Sequence, residues 1–198
     1  AIIVANSDFS VVAGGSFNFT ASDPPANTPT PTNTVVNPTP TRAPSANANP
    51  NTGGAGTVVT VNGNGSFRMF QVDSPVTSAT LSGFTISGGN GTSGSGGGGL
   101  LVQSGAVTLN GILLTGNNAN TGGGASVAGG ATLNVYNSTV SGNSAQVGAG
   151  IFNDSSTLNL LNSTVTNNAA TDFGGGIHSQ TNGPVPVTTV KNSIVSGN

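Results

Sequence analysis

The sequence contains no cysteine, no tryptophan and no glutamate among its 198 residues. Without cysteine, the fold can depend on neither disulfides nor thiolate-bound metal ions. Charged side chains make up 4% of the chain, against about 25% in a typical soluble domain. The 3 basic residues are too few and too scattered to attract nucleic acid or an anionic membrane. No apolar run reaches the roughly 18 residues of a membrane-spanning helix. We therefore expect no nucleic-acid partner and no membrane-spanning segment.

Small and β-branched residues dominate what is present. Glycine, asparagine, serine, threonine and valine are abundant, whereas the strong helix formers Glu, Gln and Lys are nearly absent, so helices are disfavoured. Apolar residues form 34% of the chain and recur in short, regularly placed runs from residue 57 onward. This regularity predicts a packed core of short β-strands.

Two sequence markers repeat with nearly the same period. A glycine cluster followed by an apolar residue ends at Leu100, Ala125, Ile151 and Ile177, with spacings of 25, 26 and 26 residues. A second marker of the form Ser/Thr-Gly/Asn-Gly/Asn ends at Gly89, Asn117, Asn143, Asn168 and Asn198. Such a period is the signature of a solenoid, in which each repeat is one coil.

Between the markers, apolar residues alternate as they do in strands. Val140, Val165 and Val195 occupy one column, and Leu133 and Leu158 occupy another. The alternation predicts an all-β parallel β-helix (β-solenoid) over residues 57–198, with about five coils of roughly 25 residues. Three short strands and three turns are expected in each coil, and the glycine cluster supplies one of the turns.

Stacked coils place identical side chains above one another. The spacing predicts one asparagine ladder at Asn137, Asn162 and Asn192, and another at Asn117, Asn143, Asn168 and Asn198. A buried amide in such a ladder donates to the coil on one side and accepts from the coil on the other. These ladders and the valine column are the predicted structural residues of the solenoid.

The N-terminal third departs from the repeat. Residues 1–22 are expected to form a β segment, which serves either as a cap or as a donor strand for a neighbouring subunit. Its candidate assembly residues are Ile2, Ile3, Val4, Phe17 and Phe19. Residues 23–56 carry 8 of the 11 prolines and many threonines, so they are expected to be an extended spacer.

The repeat resembles bacterial right-handed parallel β-helix proteins of pectate-lyase-like architecture. The motifs that carry the resemblance are Leu81–Gly89 and the recurring Asn-Ser-Thr-Val of Asn137–Val140 and Asn162–Val165. The Gly-Gly-Gly-Ile unit is also similar to the polymorphic outer-membrane protein repeats of surface adhesins, although Phe152–Ser155 departs from their Phe-x-x-Asn. The resemblance implies the fold, which hosts enzymes and inert surface proteins alike.

Residues that could perform catalysis are few and dispersed. The aspartates Asp8, Asp23, Asp73, Asp154 and Asp172 share no column, whereas glycoside hydrolysis needs paired carboxylates. His178 should point outward above Phe152 and Ser126, with Asp154 on the neighbouring coil as a possible partner. Such a pair could act as a base with its orienting group, but it is more often a surface hydrogen bond. We expect no catalytic site, no metal site and no cofactor.

These observations favour a non-enzymatic structural protein of the extracellular space or the cell surface. An uncovered solenoid end invites strand addition, so end-to-end self-association into a head-to-tail filament is expected. One alternative is an adhesin or carbohydrate-binding module that contacts glycans or cell-surface material through exposed Thr, Ser and Asn ladders. A second alternative is a polysaccharide lyase or hydrolase-like enzyme.

Overall fold

A computed structural model of the chain describes residues 3–5, 9–12, 60–94 and 96–198. The described residues form 22 β-strands and no helix. The strands build four sheets, and every strand pairing in them is parallel. Because consecutive strands along the chain belong to different sheets, each circuit through the sheets is one coil of a solenoid.

The four sheets are named by the order in which one coil visits them. The first sheet contains β1 (Ile3–Ala5), β4 (Phe70–Val72), β8 (Leu100–Val102), β12 (Ala125–Val127), β16 (Ile151–Asp154) and β20 (Ile177–Gln180). The second sheet contains β2 (Phe9–Val12), β5 (Ser78–Ser82), β9 (Ala106–Asn110), β13 (Thr132–Tyr136), β17 (Thr157–Leu161) and β21 (Val187–Lys191). The third sheet contains β3 (Thr60–Asn62), β6 (Thr85–Ser87), β10 (Leu113–Thr115), β14 (Thr139–Ser141), β18 (Thr164–Thr166) and β22 (Ile194–Ser196). The fourth sheet contains β7 (Asn90–Gly91), β11 (Asn118–Thr121), β15 (Ser144–Val147) and β19 (Ala169–Phe173).

The coils form a right-handed parallel β-solenoid of about five turns with roughly 26 residues per turn, which confirms the predicted fold class. The strands β1, β2 and β3 add one further level to the first three sheets. At the usual spacing of about 4.8 Å between neighbouring strands, five turns extend over roughly 24 Å. At inner levels, backbone N–H and C=O groups pair with the coils above and below.

The number of strands per coil was predicted wrongly. Each of the four coils from β4 to β19 contains four strands rather than three, because a strand of the fourth sheet lies between the third sheet and the next glycine turn. The inward column of this sheet is Gly91, Ala119, Ala145 and Ala170. The other strands are predicted from large aliphatic residues at alternating positions, and this sheet has only glycine and alanine at its inward positions.

The interior is filled by columns of aliphatic side chains in register. Val140 pairs with Val165, which pairs with Val195, and Leu133 pairs with Leu158. Val140, Val165, Leu133 and Leu158 have no exposed surface, whereas Val195 in the last coil is 43% exposed. Burial of each such side chain contributes about 1.5–3 kcal/mol, so these columns supply the main driving force for stacking.

Part of the N-terminal segment belongs to the solenoid. β1, which includes Ile3 and Val4, pairs with β4, and β2 pairs with β5. The other candidate assembly residues Ile2, Phe17 and Phe19, and the proline-rich residues 23–56, lie outside the described residues. Within the described part of the chain, no helix has the length and hydrophobicity needed to cross a membrane.

Candidate functional site

A buried asparagine ladder lies at the corner between the third and fourth sheets. Asn117, Asn143 and Asn168 are at most 1% exposed, and Asn198 continues the column into the last coil. Their amides are linked by Nδ2–H···Oδ1 hydrogen bonds of 3.0, 2.9 and 2.8 Å from each coil to the next. The predicted ladder at these positions is therefore present in the structure.

Each amide in this ladder also holds the backbone of the neighbouring coil. Asn143 Oδ1 accepts from the backbone N–H of Asn117 at 3.0 Å, and Asn168 Oδ1 accepts from that of Asn143 at 3.1 Å. In the reverse direction, Asn143 Nδ2 donates to the carbonyl of Leu114 at 2.9 Å. The polar atoms of a buried amide are thus satisfied, which removes the cost of burying it.

The second asparagine column lies at an exposed corner rather than in the core. Asn137, Asn162 and Asn192 are exposed between the second and third sheets, so the expected burial is wrong, although Asn162 and Asn137 are joined by their amides. Their φ angles are 49°, 52° and 48°, in the left-handed region that Asn tolerates better than most residues. Asn162 Nδ2 donates to Asn137 Oδ1 at 3.5 Å, and Asn137 Nδ2 donates to Asn110 Oδ1 of the preceding coil at 2.9 Å. Asparagine at these positions therefore both adopts the left-handed turn and joins successive coils on the surface.

A serine ladder, which the sequence analysis missed, follows directly behind that corner. Ser138 and Ser163 are 2% and 3% exposed, and Ser193 occupies the same column in the last coil. Ser163 Oγ accepts from the backbone N–H of Ser138 at 3.2 Å, and Ser193 Oγ accepts from that of Ser163 at 3.0 Å. The recurring Asn-Ser pair was the available signal, because the serine follows the left-handed asparagine in three coils.

Glycine at the turn into the first sheet is required by close approach of the coils. A Cβ atom on Gly150 would lie 2.3 Å from the carbonyl oxygen of Gly176 and 3.1 Å from Asn168 Nδ2. The glycine clusters therefore let each coil pass directly against the asparagine ladder and against the glycines of the next coil.

The Arg68 side chain holds the glycine-rich loop between β7 and β8 by hydrogen bonds. Its Nε–H donates to the carbonyls of Gly96 and Gly97 at 2.9 and 3.1 Å, and its Nη1 donates to Gln71 Oε1. Gln71 Nε2 in turn donates to Asp73 Oδ2 at 2.6 Å. Burial lowers the pKa of the Arg68 guanidinium, and the charge of Asp73 opposes that shift. The run of glycines is thus a widened turn held by one side chain.

His178 lies above Phe152 and Ser126, as its column required. Its ring is parallel to that of Phe152, with centroids 5.9 Å apart, and Phe173 contacts it at 6.1 Å. The Asp154 carboxylate instead accepts from Ser155 Oγ and Asn182 Nδ2, and no hydrogen bond joins it to His178 within the described residues. No group of three or more His, Cys, Asp or Glu side chains that could hold a metal ion lies in that part of the chain.

Within the described residues, β19, β20, β21 and β22 are each the last strand of their sheet and pair on one side only. Five large apolar side chains are exposed here, Phe173, Val187, Val190, Ile194 and Val195. Two of them, Val190 and Val195, continue columns that are buried at inner levels. A groove of about 590 Å³ lies at one corner of this edge, beside β19, and is lined by residues that include Ala170, Asp172 and Asn198. Five of the seven exposed large apolar side chains among the described residues lie on these four strands.

Comparison with known proteins agrees with this geometry. A family model described as a right-handed β-helix region matches residues 50–198, about three quarters of the chain. No match was found among curated proteins or among solved structures. Because the matched region covers the stacked coils and both buried ladders, the chain belongs to the right-handed β-helix family.

Proposed function

We propose that this protein is a non-enzymatic structural component of the cell surface or the extracellular space, which associates end to end. The single observation that carries the structural role is the commitment of the buried Asn and Ser side chains to hydrogen bonds between coils, and the exposed edge of β19 to β22 supports the association. Strand edges with exposed apolar side chains are templates for pairing with another chain.

The use of polar side chains inside the solenoid supports a structural role. The amides of Asn117, Asn143 and Asn168 and the hydroxyls of Ser138 and Ser163 form hydrogen bonds between coils. In an active site such amides and hydroxyls would face the substrate, whereas here they form hydrogen bonds between neighbouring coils. A rigid solenoid held in this way suits a spacer or a fibre subunit.

The apolar edge supports self-association specifically. Val190 in β21 and Val195 in β22 are 46% and 43% exposed, whereas Leu160 and Val165 in the same columns are at most 1% exposed. A further coil added in register would bury this surface and pair the free backbone groups of four strands. Such a contact is heterologous and propagates along the solenoid axis.

Light scattering of the purified chain over a wide concentration range tests this proposal. We expect the mean mass to rise with concentration and electron micrographs to show rods of variable length. Replacing Val195 by Lys should suppress the association, because its column is buried at inner levels, whereas Thr115→Lys at an outward position on an inner level of the same sheet should not. A mass that stays monomeric at every concentration would exclude end-to-end association.

A carbohydrate-binding role is the second candidate, and the aromatic cluster of Phe152, Phe173 and His178 favours it. Phe173 is 64% exposed beside the half-buried His178, so a flat apolar surface lies next to polar groups, as in many ligand sites. A glycan array tests it, with Phe173→Ala as the variant and Phe67→Ala, another exposed phenylalanine, as its control. Binding that Phe173→Ala does not weaken would exclude this surface.

A further inference from the structure

The chain contains five asparagine–glycine pairs, and the structure distinguishes one of them from the other four. The pairs are Asn62–Gly63, Asn64–Gly65, Asn90–Gly91, Asn110–Gly111 and Asn182–Gly183. Such a pair can deamidate without an enzyme, because the backbone nitrogen of the glycine can attack the side-chain amide carbon of the asparagine before it. Glycine favours the attack, since it has no side chain and adopts most backbone conformations without strain. The reaction needs a free N–H and a backbone that can move.

Four of these pairs are held by the stacking of the coils. Three of the glycines donate their backbone N–H to a carbonyl of the neighbouring coil, at 2.9 Å for Gly63, 2.7 Å for Gly65 and 3.1 Å for Gly111. Gly91 is buried in β7, and Asn90 Nδ2 donates to the carbonyl of Gly65 at 2.9 Å. Attack at these positions first requires contacts between coils to open, so deamidation there is slow.

The fifth pair lies outside the strands. Asn182 and Gly183 are exposed and belong to the loop 181–186 between β20 and β21, which has six residues where the corresponding turn between β16 and β17 has two. The N–H of Gly183 has no hydrogen-bond acceptor among the described residues. Pro184 and Pro186 carry no N–H, so this loop cannot join a ladder of strand hydrogen bonds. Both conditions for deamidation are therefore met here.

Asn182 also anchors its loop to the preceding coil. Its backbone N–H donates to Ser155 Oγ at 2.8 Å, and its Nδ2 donates to Asp154 Oδ2 at 3.2 Å. The other oxygen of the Asp154 carboxylate accepts from Ser155 Oγ, and no basic side chain pairs with this carboxylate among the described residues. The amide of Asn182 is thus the loop's donor to a negative charge.

We propose that Asn182 deamidates fastest of the five pairs, and that the reaction releases the loop 181–186 from Asp154. In the first step the Gly183 nitrogen forms a bond to Cγ of Asn182, the Cγ–Nδ2 bond breaks, and ammonia leaves with the proton that the Gly183 nitrogen loses. Water then opens the resulting succinimide at either carbonyl, which gives aspartate or isoaspartate at position 182. Water is the only co-reactant, and the inference does not depend on the proposed self-association.

The product reverses the contact with Asp154. An ionised carboxylate only accepts hydrogen bonds, so the bond from position 182 to Asp154 is lost. The new negative charge is then repelled by the carboxylate that it faces. Isoaspartate also lengthens the main chain by one carbon, which displaces the loop further. The reaction therefore acts as a slow and irreversible release of the loop that leaves the buried columns intact.

Storage of the purified chain in warm, mildly alkaline buffer, followed by peptide mapping with mass spectrometry, tests the site. We expect Asn182 to convert about tenfold faster than Asn110, because the N–H after Asn110 must first leave its hydrogen bond. Gly183→Ala is the matched variant, since a Cβ atom there lies 3.7 Å from Ser155 Oγ, an ordinary contact. It should lose the fast conversion, because a side chain at this position hinders the attack. Conversion of Asn182 no faster than that of Asn110, or unchanged by Gly183→Ala, would overturn the proposed site.

Amide hydrogen exchange tests the release of the loop. Asn182→Asp carries the aspartate product from the start, so exchange in the loop 181–186 should be faster than in the parent, while exchange at Leu158 should not change. Adding Asp154→Asn to this variant restores one donor and one carboxylate, and it should return the exchange toward that of the parent. Equal exchange in the parent and in Asn182→Asp would overturn the release of the loop. Faster exchange that Asp154→Asn does not reverse would show that repulsion by Asp154 is not its cause.

Discussion

The Nδ2 of Asn143 donates to Oδ1 of Asn168 at 2.9 Å, and both side chains are 1% exposed. This bond joins two consecutive coils at a corner that apolar packing alone would leave free to slip. In a chain with only 8 charged residues, buried amides take over the task of fixing one coil above the next. The apolar columns thus supply the buried surface, and the polar ladders fix the alignment of successive coils.

Replacing Asn143 by Ala should destabilise the solenoid by about 2–4 kcal/mol. The substitution removes the acceptor of the Asn117 backbone N–H and leaves the carbonyl of Leu114 without its donor, and unpaired buried groups cost about 1–3 kcal/mol each. Chemical denaturation measures the change, with Asn118→Ala as an exposed control that should lie within about 0.5 kcal/mol of the parent. A similar stability of both variants would contradict the structural importance of the ladder.

The two asparagine columns should respond oppositely to glycine. Asn162→Gly should be nearly neutral, because glycine adopts the φ of 52° without strain, whereas Asn162→Val should cost about 1–2 kcal/mol. Asn168→Gly should be strongly destabilising, because it removes a buried ladder amide. Thermal unfolding of the three variants distinguishes the roles. Equal losses for Asn162→Gly and Asn168→Gly would show that both columns act through their amides.

The fold could be predicted from the sequence because its evidence is periodic. The glycine turns, the aliphatic column of Val140, Val165 and Val195, and the asparagines that follow it all recur at the spacing of one coil. Column positions such as that of His178 above Phe152 followed from the same register. A repeat therefore gives the stacking order and the neighbours of each residue along the axis.

The details within a coil could not be predicted equally well. Period alone does not say whether a stacked residue points inward, so Asn137 and Asn162 were expected to be buried although they occupy an exposed left-handed turn. The fourth sheet shows no aliphatic alternation in the sequence, because its inward column is glycine and alanine. The edge formed by β19 to β22 required the actual strand order, which pattern alone does not supply.

Ser163→Ala should destabilise the fold even though it is nearly isosteric. Ser163 Oγ accepts from the backbone N–H of Ser138 and donates to a carbonyl, so alanine leaves a buried N–H without a partner, at a cost of about 1–3 kcal/mol. Ser141→Ala, at a half-buried outward position, is the control and should be nearly neutral. Amide hydrogen exchange at Ser138 gives a local measurement, because its protection should fall in the Ser163→Ala variant. Unchanged protection there would argue against the serine ladder.

Arg68→Met should loosen the glycine-rich turn without unfolding the solenoid. The substitution keeps much of the apolar stem but removes the donor to the carbonyls of Gly96 and Gly97. Hydrogen exchange near Gly97 should become faster, and exchange at Val140 in the inner coils should remain unchanged. Lys191→Met, in the exposed last coil, is the matched control and should alter neither region. A uniform loss of protection would mean that Arg68 stabilises the whole fold rather than the turn.

Sodium chloride should change neither stability nor association appreciably. Within the described residues no ion pair joins the charged side chains Arg68, Asp73, Asp154, Asp172 and Lys191, and the coils are held by apolar columns and neutral amides. Raising the salt concentration to about 1 M shortens the Debye length to about 3 Å and would weaken exposed ion pairs. We therefore expect the free energy of unfolding at high sodium chloride to stay within about 0.5 kcal/mol of its value at low salt, as for changes away from specific interactions.

Sulfate, in contrast, should strengthen both stability and association, because it favours burial of apolar surface. Dissociation on adding sodium chloride would mean that charges hold the associated chains together, and burial of Val190 and Val195 would then not be the driving force.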